Sequence, residues 1–185
     1  MTPSPILQQL RTGTHAAHAA LEAQPFNQAI QAGTISTAAT AHFLGRMYGF
    51  LLPYEAQLRQ HHFAPAWEIE RRQRAHLIAQ DLGPAAVAEL AICGALPPLD
   101  TEAQILGAMY VLEGSTLGGQ VIARQLAKAG VPLQAYFRGN GDATGPLWKS
   151  FCQLLSDAAT SDNSPAIVES ARLTFQHLDA WLNQP

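Results

Sequence analysis

The 185-residue sequence has little of what marks several large protein classes. Its two cysteines, Cys93 and Cys152, are too few for a disulfide scaffold and fit a reducing compartment. No uninterrupted apolar stretch approaches the roughly 20 residues that a membrane helix needs. The opening MTPSPILQQLRTG has no apolar export-signal core, so a cytoplasmic protein without a membrane partner is expected. Charge is sparse at 14% of residues, and 11 basic side chains face 14 acidic ones for a net charge of −3. That balance excludes electrostatic nucleic-acid binding as the main task. There is no internal repeat, low-complexity tract or interdomain linker, and no G-x-G-x-x-G motif following a strand, which excludes a built-in dinucleotide site of that type. Strand formers are scarce too, with 5 Val and 9 Ile against 32 Ala and 23 Leu. With 48% hydrophobic residues the chain can build a core, and its length suits one domain over residues 1–185. An all-α fold is expected.

Helix punctuation divides the chain. A first helix is predicted from Pro5 to Ala23, stopping before Pro25. A second runs from Ser36 to His61, with Pro53 kinking or interrupting it. A third covers Ala66 to Leu82 and ends at Gly83-Pro84, and a short one covers Ala85 to Ile92. Asp100 is expected to cap a long helix reaching Ala129, Pro146 to open another to Ala159, and Ser164-Pro165 to cap and open the last, ending near Asn183.

Two of these helices are chemically unusual. In the first, Leu7, Thr14 and Leu21 fall within about 60° of His18 on one side, so His18 borders the apolar stripe, while His15 turns toward water. Arg11 lies only about 20° from His18 and two turns, roughly 10 Å, away along the axis. A core-edge imidazole with a cation two turns distant can hold an elongated ligand carrying a metal and an acid group; a core histidine bonded to a carbonyl has the same pattern. The second unusual helix contains Tyr110-Val-Leu-Glu-Gly-Ser-Thr-Leu-Gly-Gly-Gln120. Three interior glycines, Gly114, Gly118 and Gly119, cost about 3 kcal/mol relative to alanine. Either neighbouring helices pack close there, or backbone must approach or bend over a flat ligand. Ser115 and Thr116 can contribute a hydroxyl or bond back to the helix.

These residues carry a resemblance. Arg11-x-x-Thr14-x-x-x-His18-x-x-Leu21-Glu22 resembles the N-terminal helix of haem oxygenases, and Gly114-Ser-Thr-Leu-Gly118-Gly119-Gln120 resembles their glycine-rich distal helix. Arg74 through Asp81-Leu82-Gly83 and Ala171-x-x-x-Phe175 are similar to further stretches, so the likeness spans nearly the whole chain. The wording of residues 110–119 is most like bacterial members that supply bilin to bacteriophytochromes. The resemblance implies a single-domain helical fold with haem b held between the first helix and a kinked glycine-rich helix. It implies His18 as the iron ligand, with Arg11, Thr14, Gly114, Gly118 and Gly119 also holding haem and Arg11 pairing with a propionate. It places Gly114, Ser115 and Gly118 at the reacting face. The implied activity is oxidative opening of haem to biliverdin with release of iron and CO, using O2 and electrons from an external reductase or ferredoxin. A bacteriophytochrome is the implied bilin acceptor.

The family's distal aspartate is replaced here by Ser115, and Tyr110 lies near, but out of register with, a propionate-binding tyrosine of some members. No His, Lys or Arg occurs from Tyr110 to Ala123, which fits a reaction that avoids a strong distal acid or base. Two alternatives stay open: a haem carrier without efficient turnover, and a thiaminase-like or pyrroloquinoline-quinone-synthesis-like enzyme that binds no haem. The latter calls for a catalytic cysteine or acidic cluster. Arg59, Arg71, Arg72 and Arg74 form the densest basic region, read either as a reductase-facing patch or as an ordinary solvated helix face. His61-His62 is read as an exposed turn, and Cys93 and Cys152 as packing residues.

Overall fold

The computed structural model describes residues 4–184, and among them every regular element is helical. Helix α1 (Pro5–Glu22) begins with proline at its first turn and buries Ile6, Leu10 and Thr14 at one-turn intervals. The Thr14 hydroxyl donates to Leu10 O at 2.8 Å, which lets a polar residue sit on the buried face. Helix α2 (Pro25–Ala32) was not expected: Pro25 ends nothing further than α1 and itself opens a new helix, closed by Gly33 in the left-handed conformation. Helix α3 (Thr37–Leu58) is capped by Ser36, whose hydroxyl accepts from Ala39 N at 3.1 Å, and it runs on past Pro53.

The predicted Ala66–Leu82 helix is corrected to three pieces. A 3₁₀ turn (Pro65–Trp67) leads into α4 (Ile69–Arg72), and α5 (Ala75–Leu82) follows. The break falls at Glu68, which takes a left-handed φ of 47°, and at the extended Gln73. The redirected chain drives Arg72 and Arg74 inward, to 6% and 4% exposure, so the four-arginine surface patch does not exist. Arg59 and Arg71 stay outside on Gln73 and Glu68.

Helix α6 is short (Pro84–Ala88), and α7 (Glu102–Lys128) is the longest element. Thr101, not Asp100, is its N-cap, in a reciprocal capping box with Gln104. Helices α8 (Ala135–Arg138), α9 (Thr144–Ala158) and α10 (Ser164–Leu182) complete the fold, with Asn163 rather than Ser164 in the capping position of α10. Helix α10 packs along both α7 and α1. A Cβ on Gly107 would strike Ile167 O and lie 2.7 Å from Ser170 Cβ, so the α7–α10 crossing requires glycine. Arg46 clamps α3 to α10, lying 3.7 Å from the Trp181 ring centroid while Trp181 Nε1 donates to Arg46 O. The core is one continuous cluster reaching from Ile6 to Trp181.

Under α7, Arg72 Nη1 donates to Glu113 Oε2 at 2.5 Å, with both side chains almost fully buried. Arg72 Nε also donates to Trp67 O at 2.6 Å. Removing one partner of such a pair strands a buried charge, which costs about 3–5 kcal/mol. Arg72→Met is therefore expected to lower unfolding stability by about that amount in urea titration. Adding Glu113→Leu is expected to recover most of the loss; a double variant no more stable than the single one would show that the pair is not the source.

Candidate active site

A cleft of about 390 Å³ opens between α1 and α7, within the size range of small-molecule sites. On one side stands His18, its side chain 56% exposed, so it faces the opening and not the core edge expected of it. Its Nδ1 lies 3.5 Å from Glu22 Oε2, one turn on, and its ring meets Phe175 edge-on at 5.6 Å between centroids. With Nδ1 turned to a carboxylate, Nε2 is the nitrogen left for a ligand.

The opposite wall is α7, and its three glycines separate into distinct roles. Gly118 has nothing within 4 Å of a Cβ built on it, so it keeps a space in the cleft clear. A Cβ on Gly114 would lie 3.5 Å from Trp148, an ordinary contact, and Gly114 borders the cleft with its backbone. At Gly119 a Cβ would lie 2.6 Å from Phe137 O; that glycine lets α8 approach α7. The close-packing reading thus holds at Gly119, and Gly118 leaves the open space that the ligand reading calls for. Ser115 Oγ and Thr116 Oγ1 bond back to Leu112 O at 2.7 Å and Glu113 O at 2.6 Å. Val121, 49% exposed on the cleft wall, and Leu117, 43% exposed one turn before it, leave apolar surface of the same helix uncovered.

The far end of the cleft is aromatic. Phe43 from α3 and Phe137 from α8 line it, nearly parallel to Phe26 of α2, with centroids 4.0–6.0 Å apart. Helix α8 is held there by Asp81, whose carboxylate accepts from Ala135 N and Tyr136 N, both at 2.9 Å, satisfying the free amides of a four-residue helix. Gln120 Nε2 fixes its other end through Arg138 O.

Of the residues singled out in the sequence, His18, Gly114, Ser115, Gly118 and Gly119 converge on this cleft. Thr14 does not: it is buried and its hydroxyl is spent on Leu10 O. Arg11 is exposed outside the lining, close enough to Tyr110 to act on its phenol electrostatically, while burial pushes the Tyr110 pKa up. His15 is exposed and absent from the lining, as expected. Missed by sequence reasoning were Tyr136, Phe43 and the aromatic end, contributed by segments without a motif of their own, and Arg74, which was read as part of the basic region and not as a cleft residue. Cys93 and Cys152 lie outside the cleft, and burial pushes the Cys152 thiol up to about 11, which keeps it protonated at neutral pH. Among the described residues no group of three or more His, Cys, Asp or Glu side chains can hold a bare metal ion. Nor is any described helix long and apolar enough to cross a membrane.

A family model described as Heme oxygenase matches residues 4–184. The chain belongs to the haem oxygenase family. It is 29% identical over 161 residues to a heme oxygenase of Xanthomonas campestris pv. campestris (strain 8004), covering 84% of this chain and 95% of that one. Its fold matches heme oxygenase-1 of the cyanobacterium Synechocystis sp. PCC6803, solved in complex with heme, with a TM-score of 0.79 at 18% identity over 96% of this chain and 90% of the other. It also matches heme oxygenase from Leptospira interrogans (TM-score 0.76, 16% identity, covering 96% and 98%). A third match is the NO- and CO-bound heme oxygenase of Neisseria meningitidis (TM-score 0.71, 21% identity, covering 96% and 89%). Membership makes the chain a haem-degrading oxidoreductase and removes the haem-free alternative.

The cleft fits a haem on the structure's own terms. Gly118 leaves open space into which a side chain would project, Val121 is uncovered on the cleft wall, and a histidine stands on the opposite side. Gly118→Ala and Gly119→Ala are expected to behave oppositely. The first gains up to about 1 kcal/mol of helix propensity and loses haem affinity. The second loses about 1–3 kcal/mol of stability through overpacking against Phe137 O. Thermal unfolding and hemin titration of both variants separate the two effects.

Proposed function

We propose that His18 Nε2 is the protein's axial ligand to the haem iron and that Gly114, Ser115 and Gly118 border the reacting face. The carrying observation is that one cleft sets an outward-facing imidazole on α1 opposite bare backbone on α7. Bound haem supplies the oxidative chemistry, its own ring being opened to biliverdin with release of iron and CO, with O2 and external electrons as co-reactants.

The chain's residues bind, orient and solvate. Glu22 lies 3.5 Å from His18 Nδ1 and favours the ring orientation that leaves Nε2 toward the cleft. Phe43 and Phe137 with Ile30 and Met47 exclude water from the apolar end of the cleft. Arg11, exposed two turns before His18 on α1, would meet an acidic side chain of a ligand that extends past the cleft; Gly119 and Thr14 support the two walls. Ser115 Oγ, committed as a donor to Leu112 O, keeps lone pairs with which to accept from an ordered water at the distal face. Electrons come from a separate reductase or ferredoxin, and the fixed Arg59–Arg71 pair is too small a basic surface to define its docking site. A bacteriophytochrome as bilin acceptor is supported by the wording of residues 110–119, and a cytoplasmic location by the two unpaired cysteines.

Hemin added to the purified protein is expected to give a Soret band, and a reductant under oxygen to convert it to a biliverdin spectrum. A Soret band that never bleaches would make the protein a carrier. His18→Ala is expected to abolish the ferric axial-histidine spectrum and bilin formation, while His15→Ala preserves both. An unchanged ferric spectrum in His18→Ala would refute the proximal assignment.

A further inference from the structure

Helix α9 brings an indole to the border of the cleft. A Cβ on Gly114 would lie 3.5 Å from Trp148 Cη2 and 3.7 Å from its Cζ3, and Gly114 borders the cleft. No side chain at that position therefore comes between the ring and the ligand space. One turn earlier on α7, the Tyr110 ring stands 5.7 Å from Trp148 between centroids, and both rings are half-buried. On its other side Trp148 stacks on Phe151 at 5.7 Å, and Phe151 meets the buried Trp67 at 6.1 Å.

Tryptophan and tyrosine are the aromatic side chains that yield an electron to a strong one-electron oxidant; phenylalanine is not. A cation over a ring opposes that loss, because the oxidised ring stays positive until a proton leaves. Among the described residues, cations lie over Trp181, Phe151 and Tyr136, and over neither Trp148 nor Tyr110. Tyr136 also lines the cleft, but it is almost sealed from solvent and has Arg74 5.2 Å from its ring centroid, so neither its electron nor its proton leaves readily. The branch to Trp67 passes through Phe151, beneath the Arg72 guanidinium. Tyr110 differs on both counts. It is partly open to solvent, and Arg11 of α1 draws its pKa down against the rise that burial causes, so a proton released there has water to receive it.

We propose that Trp148 and Tyr110 form an exit for oxidising equivalents from the cleft, ending at Tyr110, through which the haem-loaded protein reduces organic hydroperoxides at the expense of small phenols. The proposal rests on the cleft being the haem site. An organic hydroperoxide carries its outer oxygen as an alkoxy group and cannot deliver a hydroxyl to the haem ring. Its O–O bond breaks at the ferric haem, and two electrons and two protons convert it to an alcohol and water. Each electron is drawn from Tyr110 by way of Trp148, and the phenolic proton passes to water at the rim, leaving a neutral phenoxyl radical. A small phenol returns a hydrogen atom to Tyr110 and is itself oxidised to a phenoxyl radical. Two such passes consume one hydroperoxide and two phenols, and leave the haem ferric with its ring intact.

The test mixes each hemin-loaded protein with tert-butyl hydroperoxide, without a phenol, and freezes it for electron paramagnetic resonance. Wild type is compared with Tyr110→Phe, Trp148→Phe and Tyr136→Phe, and the Soret band of each reports that it has folded and taken up hemin. A wild type without a Soret band would remove the haem reading itself, a failure distinct from that of the exit. Wild type and Tyr136→Phe are expected to give a tyrosyl signal that guaiacol, a small phenol, quenches. Tyr110→Phe is expected to lose the tyrosyl signal and to show an indolyl one. Trp148→Phe is expected to lose the tyrosyl signal although Tyr110 is still present, and its haem to bleach faster. A haem-loaded wild type without a tyrosyl signal, a tyrosyl signal that survives Tyr110→Phe, or one unchanged in Trp148→Phe would overturn the proposal. Should Trp148→Phe not take up hemin, Tyr110→Phe carries the test, and the absence of an indolyl signal there would refute the route through Trp148.

Discussion

Helix α7 is approached more closely than side chains permit, and the cleft is defined by where that closeness stops. At Gly107 the backbone of α10 occupies the place of a side chain, and at Gly119 the carbonyl of Phe137 does the same from α8. Between these contacts, at Gly118, the corresponding space is open. Close packing on two faces fixes the helix so that a third face can afford bare backbone. The roughly 3 kcal/mol of propensity lost at the three glycines is offset by burial along α10 and α8. It serves two ends: tight packing at Gly119 and ligand space at Gly118.

Buried polar groups complete the support. Arg72 and Arg74 reach α7 from one broken segment and bind consecutive parts of it, the Glu113 side chain and the Leu112 carbonyl. Tyr54, fully enclosed nearby, has its pKa raised by burial and by the Glu113 carboxylate, so its phenol stays neutral. Asp81 plays the same part for α8, tying a helix too short to stand alone into the cleft wall. The glycine-rich wall is therefore held from behind by the buried Arg72–Glu113 pair, while Arg74 reaches through to the cleft.

Much of this was legible in the sequence where local chemistry is decisive. Pro5, Ser36 and, one residue early, Asp100 announced α1, α3 and α7, and helical periodicity set His18 apart from His15. The breaks before and after α4 were not legible, because the left-handed residue at the first is Glu68 and not glycine or asparagine and the second falls at the extended Gln73, and tertiary packing imposes both. That error carried a second one with it: Arg59, Arg71, Arg72 and Arg74 were all read as surface groups, whether a reductase-facing patch or a solvated helix face, while Arg72 and Arg74 are core groups. Pro25 was ambiguous for a simple reason, since proline both stops one helix and starts the next. Thr14 looked like a ligand-facing residue, but its hydroxyl can be buried at little expense by bonding one turn back.

The central claim is that a planar haem lies between His18 and the Gly118 face of α7. The most direct measurement is anomalous scattering at the iron edge from crystals of the hemin-loaded protein. The account predicts one iron site in bonding contact with His18 Nε2, with the macrocycle lying against Gly118 and its apolar edge toward Phe43 and Phe137. An iron bound through His15, with the Gly118 space filled by a rearranged side chain, would contradict it.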